Sequence, residues 1–247
     1  VGLYAKNTDT STGTMNVRYT GATTEVGTGA YFKGTGSNSL TNKLDINVDN
    51  VSNTTKGMIG IYVKDANFTN EGDIQVINTD TLGFGIIAIN NLVPNTKVIN
   101  KGNITLGDSL NPREPNIGMY TREKIIPQEL PYILENKGNI KVGKNGIGVY
   151  IAGNGGTIRA NNTFTMTLGD GSSGNNKGSF GFVNVGSNNV IHSDISNVTL
   201  QNNSVYIYSK DTSGTLANPQ IINNTNINAS GKNNYGLYSA GTVTNNA

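Results

Sequence analysis

The stretch Gly60-Ile61-Tyr62-Val63-Lys64-Asp65-Ala66-Asn67-Phe68-Thr69-Asn70-Glu71-Gly72-Asp73-Ile74-Gln75-Val76 holds three short strand-like phrases in a fixed order. The first is Gly, an apolar residue, then Tyr. The second is a short apolar or β-branched pair (Phe68-Thr69) that ends on Asn70. The third is a small polar residue followed by apolar, any, apolar (Asp73-Ile74-Gln75-Val76). Alternation of this kind places two apolar side chains on one face of a strand.

The same phrases recur along the whole chain. The first appears at Gly2-Leu3-Tyr4, Gly29-Ala30-Tyr31, Gly118-Met119-Tyr120, Gly148-Val149-Tyr150 and Gly236-Leu237-Tyr238. Weaker copies are Gly85-Ile86-Ile87, Gly181-Phe182-Val183 and Ser204-Val205-Tyr206, and the intervals run from 23 to 33 residues. Each of the eight intervals holds one copy of the third phrase, with Met15, Ile46, Ile74, Ile104, Ile140, Met166, Val198 and Ile227 as its first apolar residue. Four residues earlier stands a polar column: Ser11, Asn42, Asn70, Asn100, Asn136, Asn162, Asp194 and Asn223. Gly and Asn, which tolerate turn conformations, punctuate the phrases.

Three short strands in a repeat of roughly 30 residues supply one coil of a solenoid, with coils stacked at about 4.8 Å. The expected fold is all-β, a right-handed parallel β-helix of about eight to nine coils. Stacking would put like on like: an internal aliphatic column from Ile46, Ile74, Ile104 and Ile140, and an asparagine ladder from Asn42, Asn70, Asn100 and Asn136. A sandwich or barrel would not repeat one three-part phrase in order, the Leu pattern of leucine-rich repeats is absent, and a propeller needs four strands per unit. Both ends cut through a repeat, so residues 1–247 read as one segment of a longer solenoid.

Composition agrees with this reading. Asn (40), Gly (32), Thr (28) and Ser (16) make up 116 of the 247 residues. These residues are poor helix formers, whereas Ile and Val number 41 and suit a pleated surface. Zero Cys excludes disulfides, thiol nucleophiles and thiolate metal sites, and a single His excludes poly-His sites. A net charge of +2 argues against nucleic acid as a partner. No signal peptide and no long apolar span is visible.

Gly-Ile-Tyr-Val with Asn-Glu-Gly-Asp-Ile (Gly60 to Val63, Asn70 to Ile74), and Asn-Lys-Gly-Asn-Ile (Asn100 to Ile104, Asn136 to Ile140), resemble the repeats of bacterial autotransporter passenger domains. The Asn/Lys/Ile-rich flavour is similar to the large fusobacterial outer-membrane adhesins. The resemblance implies a type V secreted passenger exposed on the bacterial surface. Its partners would be glycans or protein receptors of host or other bacterial cells, with a translocator barrel far C-terminal. It brings no shared catalytic motif.

Candidate chemistry is sparse. Gly169 to Gly174 fits G-x-G-x-x-G, but no helix-forming sequence follows, so it reads as a loop. Gly138 to Lys144 approaches a P-loop, but Asn145 stands where Ser or Thr must bind magnesium. Asp45 and Asp73 share a column that is otherwise mostly neutral, which reads as a polar ladder rather than a calcium or lyase site. His192 reads as a coil-edge residue on a locally shifted strand. No cofactor and no metal are expected, and a single chain is expected to act alone.

Two features are candidate contact surfaces. Period two points the tyrosine column outward, with Tyr62, Tyr120 and Tyr150 as candidate contact residues; the alternative is a self-stacked ladder. The repeat also breaks between Gly107 and Glu135, where four of the six prolines fall. Proline cannot donate to a ladder, so an insertion at about 108–134 is predicted, with a small loop near 108–116 and a larger one at 121–132. Its charged residues Arg113, Glu114, Arg122, Glu123, Lys124 and Glu129 are the candidate loop contacts. The function expected is that of a non-enzymatic adhesin segment, a stalk with a possible contact surface. A β-helical polysaccharide lyase or hydrolase and a purely structural stalk are the alternatives.

Overall fold

The computed structural model describes residues 1–19, 27–35, 37–50, 57–77, 82–92, 96–122, 132–161, 165–174, 178–210 and 219–247. Among these the chain is all-β, and every strand pairing is parallel. Each strand pairs with the strand one repeat away, so the sheets run along the stack of coils. This is a parallel β-helix.

Three walls result. Sheet 1 has nine strands, Leu3–Lys6, Thr28–Lys33, Ile59–Lys64, Phe84–Ile89, Ile117–Arg122, Ile147–Ala152, Ser179–Val185, Ser204–Lys210 and Tyr235–Ser239. Sheet 2 has eight, from Ser39–Asn42 and Asn67–Asn70 through Thr242–Asn245. Sheet 3 has six, from Gly13–Tyr19 to Met166–Leu168, and its line continues as a separate pair, Asn197–Leu200 with Asn226–Ala229.

The aliphatic column stacks as its spacing predicts: Met15, Ile46, Ile74, Ile104, Ile140 and Met166 follow one another in register. It meets the inward columns of sheet 1 (Ala30, Ile61, Ile86, Met119, Val149, Phe182) and sheet 2 (Leu40, Phe68, Val98, Leu134) in one continuous core. Burial of this apolar lumen is the main favourable force.

The asparagine ladder also forms. Asn42 Nδ2 donates to Asn70 Oδ1, Asn70 to Asn100 and Asn100 to Asn136, each at 2.8 Å. The second N–H of each amide closes its own turn, onto the carbonyls of Leu44, Gly72, Gly102 and Gly138 at 2.6–2.8 Å. All four asparagines are buried, and these bonds satisfy what burial would otherwise leave unpaired.

Three register assignments from sequence are corrected. The copy at residues 204–206 is displaced by two: Ile207, not Val205, pairs with Phe182 and Leu237, and Tyr208 joins the tyrosine column. Tyr206 therefore faces glycines in both adjacent coils, and its ring drops into the lumen against Phe182. Its hydroxyl lies 2.6 Å from Ser193 Oγ. Burial pushes its pKa up to about 12, with Ser193 and Thr225 partly opposing. In the polar column, Ala160 and Ser193 stand opposite Asn136 and Asn223 along sheet 2, where Asn162 and Asp194 were expected; Asn162 lies outside the described residues. At the first coil Thr10, rather than Ser11, bonds Asn42. The reason is common to all three: turns of variable length shift the count, while the core fixes which residue points inward.

Candidate functional site

The glycine of the first phrase sets the geometry of the outer face of sheet 1. A Cβ on Gly85 would lie 2.5 Å from the Gly118 carbonyl and 2.6 Å from Ile104 Cγ2. Gly29, Gly60, Gly118 and Gly148 meet the same two walls. At the glycine the alternation slips by one. Ile61 on its far side is in the core, while Ile59 on its near side packs outside with Tyr62 and Phe84. Each strand therefore presents an outer column before the glycine as well as one at the tyrosine.

The tyrosine column runs Tyr4, Tyr31, Tyr62, Ile87, Tyr120, Tyr150, Val183, Tyr208, Tyr238. Tyr62, Tyr120 and Tyr150 lie on the outer face, half-buried, with Ile61, Met119 and Val149 beneath them in the core. The rings also pack on one another. Tyr4–Tyr31 and Tyr31–Tyr62 meet edge-on with centroids 5.3 and 5.2 Å apart, and Tyr120–Tyr150 stack at 5.4 Å. Self-packing and outward display thus coexist on one face.

The column before the glycine, Ile59, Phe84, Ile117, Ile147 and Phe180, fills the space beside the rings. Sequence reading missed it, because unbroken period two gives no reason to treat the residue before Gly as an outer partner of the tyrosine. The apolar residue ahead of Gly-x-Tyr is the signal that marks it. At the far coils, Phe180, Val205, Tyr208, Tyr235 and Tyr238 line a cleft of about 530 Å³ with Asn203, Asn233, Ser172 and Ser173 at its edge. Tyr208 and Tyr238 stack there at 5.0 Å, nearly parallel.

Burial first, then neighbouring tyrosines, raises the pKa of Tyr31, Tyr150 and Tyr208, so these hydroxyls stay neutral donors and acceptors at neutral pH. The larger cavity, about 770 Å³, is lined by the last coils' amides, including Asn197, Asn223 and Asn226. Asn223 already donates to Thr225 O and Asn245 Oδ1. Asn226 Nδ2 donates to the Ser196 carbonyl.

Among the described loop candidates, Arg113 and Glu114 lie on one turn and Arg122 at the far end of the following strand. Arg113 is exposed on the turn between Leu106 and Ile117, where the Ser109 hydroxyl lies 2.9 Å from the carbonyls of both Asn111 and Glu114 and can donate to either. Glu114's carboxylate accepts from Asn111 Nδ2. Arg122 ends the strand Ile117–Arg122, so about 17 Å of strand separates it from that turn. It lies on the outer face two residues after Tyr120. Glu123, Lys124 and Glu129, with most of the larger insertion, lie outside the described residues.

Asp45 and Asp73 belong to an exposed ladder. Asp45 Oδ1 accepts the Asp73 N–H and Asp73 Oδ1 accepts the Asn103 N–H, both at 2.8 Å. His192 pairs in register with Arg159 and Ile222 on the outside of sheet 2, with Ile191 in the core. Burial and then Arg159 lower its pKa. Among the described residues no group of three or more His, Cys, Asp or Glu side chains is arranged to hold a metal ion. Compared with protein-family models, with curated proteins and with solved structures, the chain matches none.

Proposed function

We propose that this chain is a segment of a bacterial cell-surface adhesin passenger, acting without catalysis as a stiff stalk whose outer aromatic face contacts a glycan or protein receptor on host or bacterial cells. The carrying observation is the aromatic column on the outer face of sheet 1, set in register on a continuous core. A rigid platform bearing aromatic rings with neutral hydroxyls suits a surface that must be apolar and hydrogen-bonding at once. The resemblance of the repeats to autotransporter passengers supports the same reading. A lyase on this fold finds less support, since the carboxylates of Asp45 and Asp73 are engaged by the backbone of the next coil.

The test is attachment of the purified chain to target cells and glycan arrays. The variant Tyr62→Thr/Tyr120→Thr/Tyr150→Thr keeps β-propensity while removing the rings. It is expected to bind at least about tenfold more weakly, the loss of somewhat over 1.4 kcal/mol, with far-UV circular dichroism unchanged. Undiminished attachment by that variant would leave only a structural stalk.

A further inference from the structure

Beside the tyrosines runs a further outer column, two residues along each strand. In the first three coils it is Lys6, Lys33 and Lys64, paired in register, with Tyr4, Tyr31 and Tyr62 alongside. Like charges placed directly opposite one another on adjacent strands are destabilising, and here three lysines stand in register on strands whose backbones are about 4.8 Å apart. Some cations elsewhere have carboxylate partners: Lys101 lies 3.0 Å from Glu71, Lys137 2.9 Å and Lys97 3.4 Å from Glu135. No carboxylate lies within ion-pair distance of Lys6, Lys33 or Lys64 among the described residues. Asp65 follows Lys64, but its side chain is buried and accepts the Asn91 N–H at 2.7 Å.

We infer that this three-coil stripe binds a linear anionic glycan, a sulfated or uronic-acid polysaccharide, laid along the helix axis. Its acidic groups would pair with Lys6, Lys33 and Lys64, and its sugar rings would lie against Tyr4, Tyr31 and Tyr62. This rests on the adhesin reading and names the chemistry of the ligand. Repulsion along the column is relieved when a polyanion spans it, and the neighbouring hydroxyls add hydrogen bonds. Nucleic acid fits less well. The rings of Tyr4, Tyr31 and Tyr62 pack edge-on against each other at 63° and 90°, offering no parallel slots for planar bases.

The whole chain is tested against heparin, against neutral dextran and against a single-stranded oligonucleotide. Heparin is expected to bind, more weakly as salt rises, and dextran not to bind. The variant Lys6→Gln/Lys33→Gln/Lys64→Gln is expected to lose affinity at least about tenfold. The corresponding triple Lys→Arg variant should retain it, which separates charge from folding. Absence of heparin binding, an unchanged triple Gln variant, or tighter binding of the oligonucleotide overturns the inference. If the Gln variant loses heparin but still attaches to target cells, the anionic site stands and is not the adhesive one. If the tyrosine variant loses attachment while heparin never binds, the contact face stands and the anionic class falls.

Discussion

Asn100 shows how much a single residue carries in this fold. Its amide donates to Asn136 Oδ1 and to the Gly102 carbonyl, and its oxygen accepts from Asn70. Asn100→Ala removes all three bonds and leaves the Asn70 donor and the Gly102 carbonyl without those partners in a buried turn. The expected cost is about 2–4 kcal/mol, since an orphaned buried polar group costs its desolvation as well as its bond. Urea denaturation measures it. The control is Asn103→Ala in the exposed ladder, where water replaces the bonds to Asp73 and a change below about 1 kcal/mol is expected. The Asn70, Asn100, Asn136 column was legible in sequence because each member sits in the same Asn-x-Gly turn. Its interruption at Ala160 was not, because only the paired strands place Ala160 opposite Asn136.

Among the elements, the strands of sheet 1 depend on their glycine. At Gly85 an added Cβ has no room, lying 2.5 Å from a backbone oxygen that the next coil holds in place. Gly85→Ala is expected to destabilise by about 1–3 kcal/mol, as overpacking does when the neighbours cannot move aside. Gly107→Ala meets nothing within 4 Å and should change stability by less than about 0.5 kcal/mol. Thermal or urea unfolding of the two variants compares them directly. The Gly-apolar-Tyr phrase was visible in the sequence, and so was the outward direction of its tyrosine. The slip at the glycine was not visible, and it is what adds Phe84, Ile117 and Phe180 to the outer face. It follows from the approach of sheet 1 to the sheet 3 isoleucines, a distance no single strand encodes.

For the whole molecule, one coil is the unit of structure. Deleting residues 84–116 removes one repeat and brings Ile117 to the register of Phe84, with which it already pairs. The same deletion sets Asn136 beside Asn70 and Ile140 beside Ile74, so every column closes like on like. The shortened chain is expected to fold with the same far-UV spectrum and cooperative unfolding. Deleting 84–100 alone cuts mid-coil, sets a sheet 3 strand where a sheet 1 strand belongs, and should leave the remaining coils poorly formed. Circular dichroism and urea titration of the two deletions separate these outcomes.

The sequence by itself determined the class of fold, because stacking coils demands that one chemical phrase recur at each level, and Gly, Asn, Ile and Tyr do so at intervals that a reader can align. Beyond the glycine it also pointed the tyrosine outward, since period two is a local property of an extended chain. Tertiary structure alone decided the register where a repeat is irregular, as at Tyr206 and Ser193, because turns vary in length and only core packing selects the inward residue. It alone decided that the three lysines stand in register on adjacent strands, with no carboxylate in ion-pair distance among the described residues. Charge partners in a solenoid come from coils roughly 30 residues away in sequence and about 4.8 Å away in space, and that proximity is created only when the coils close.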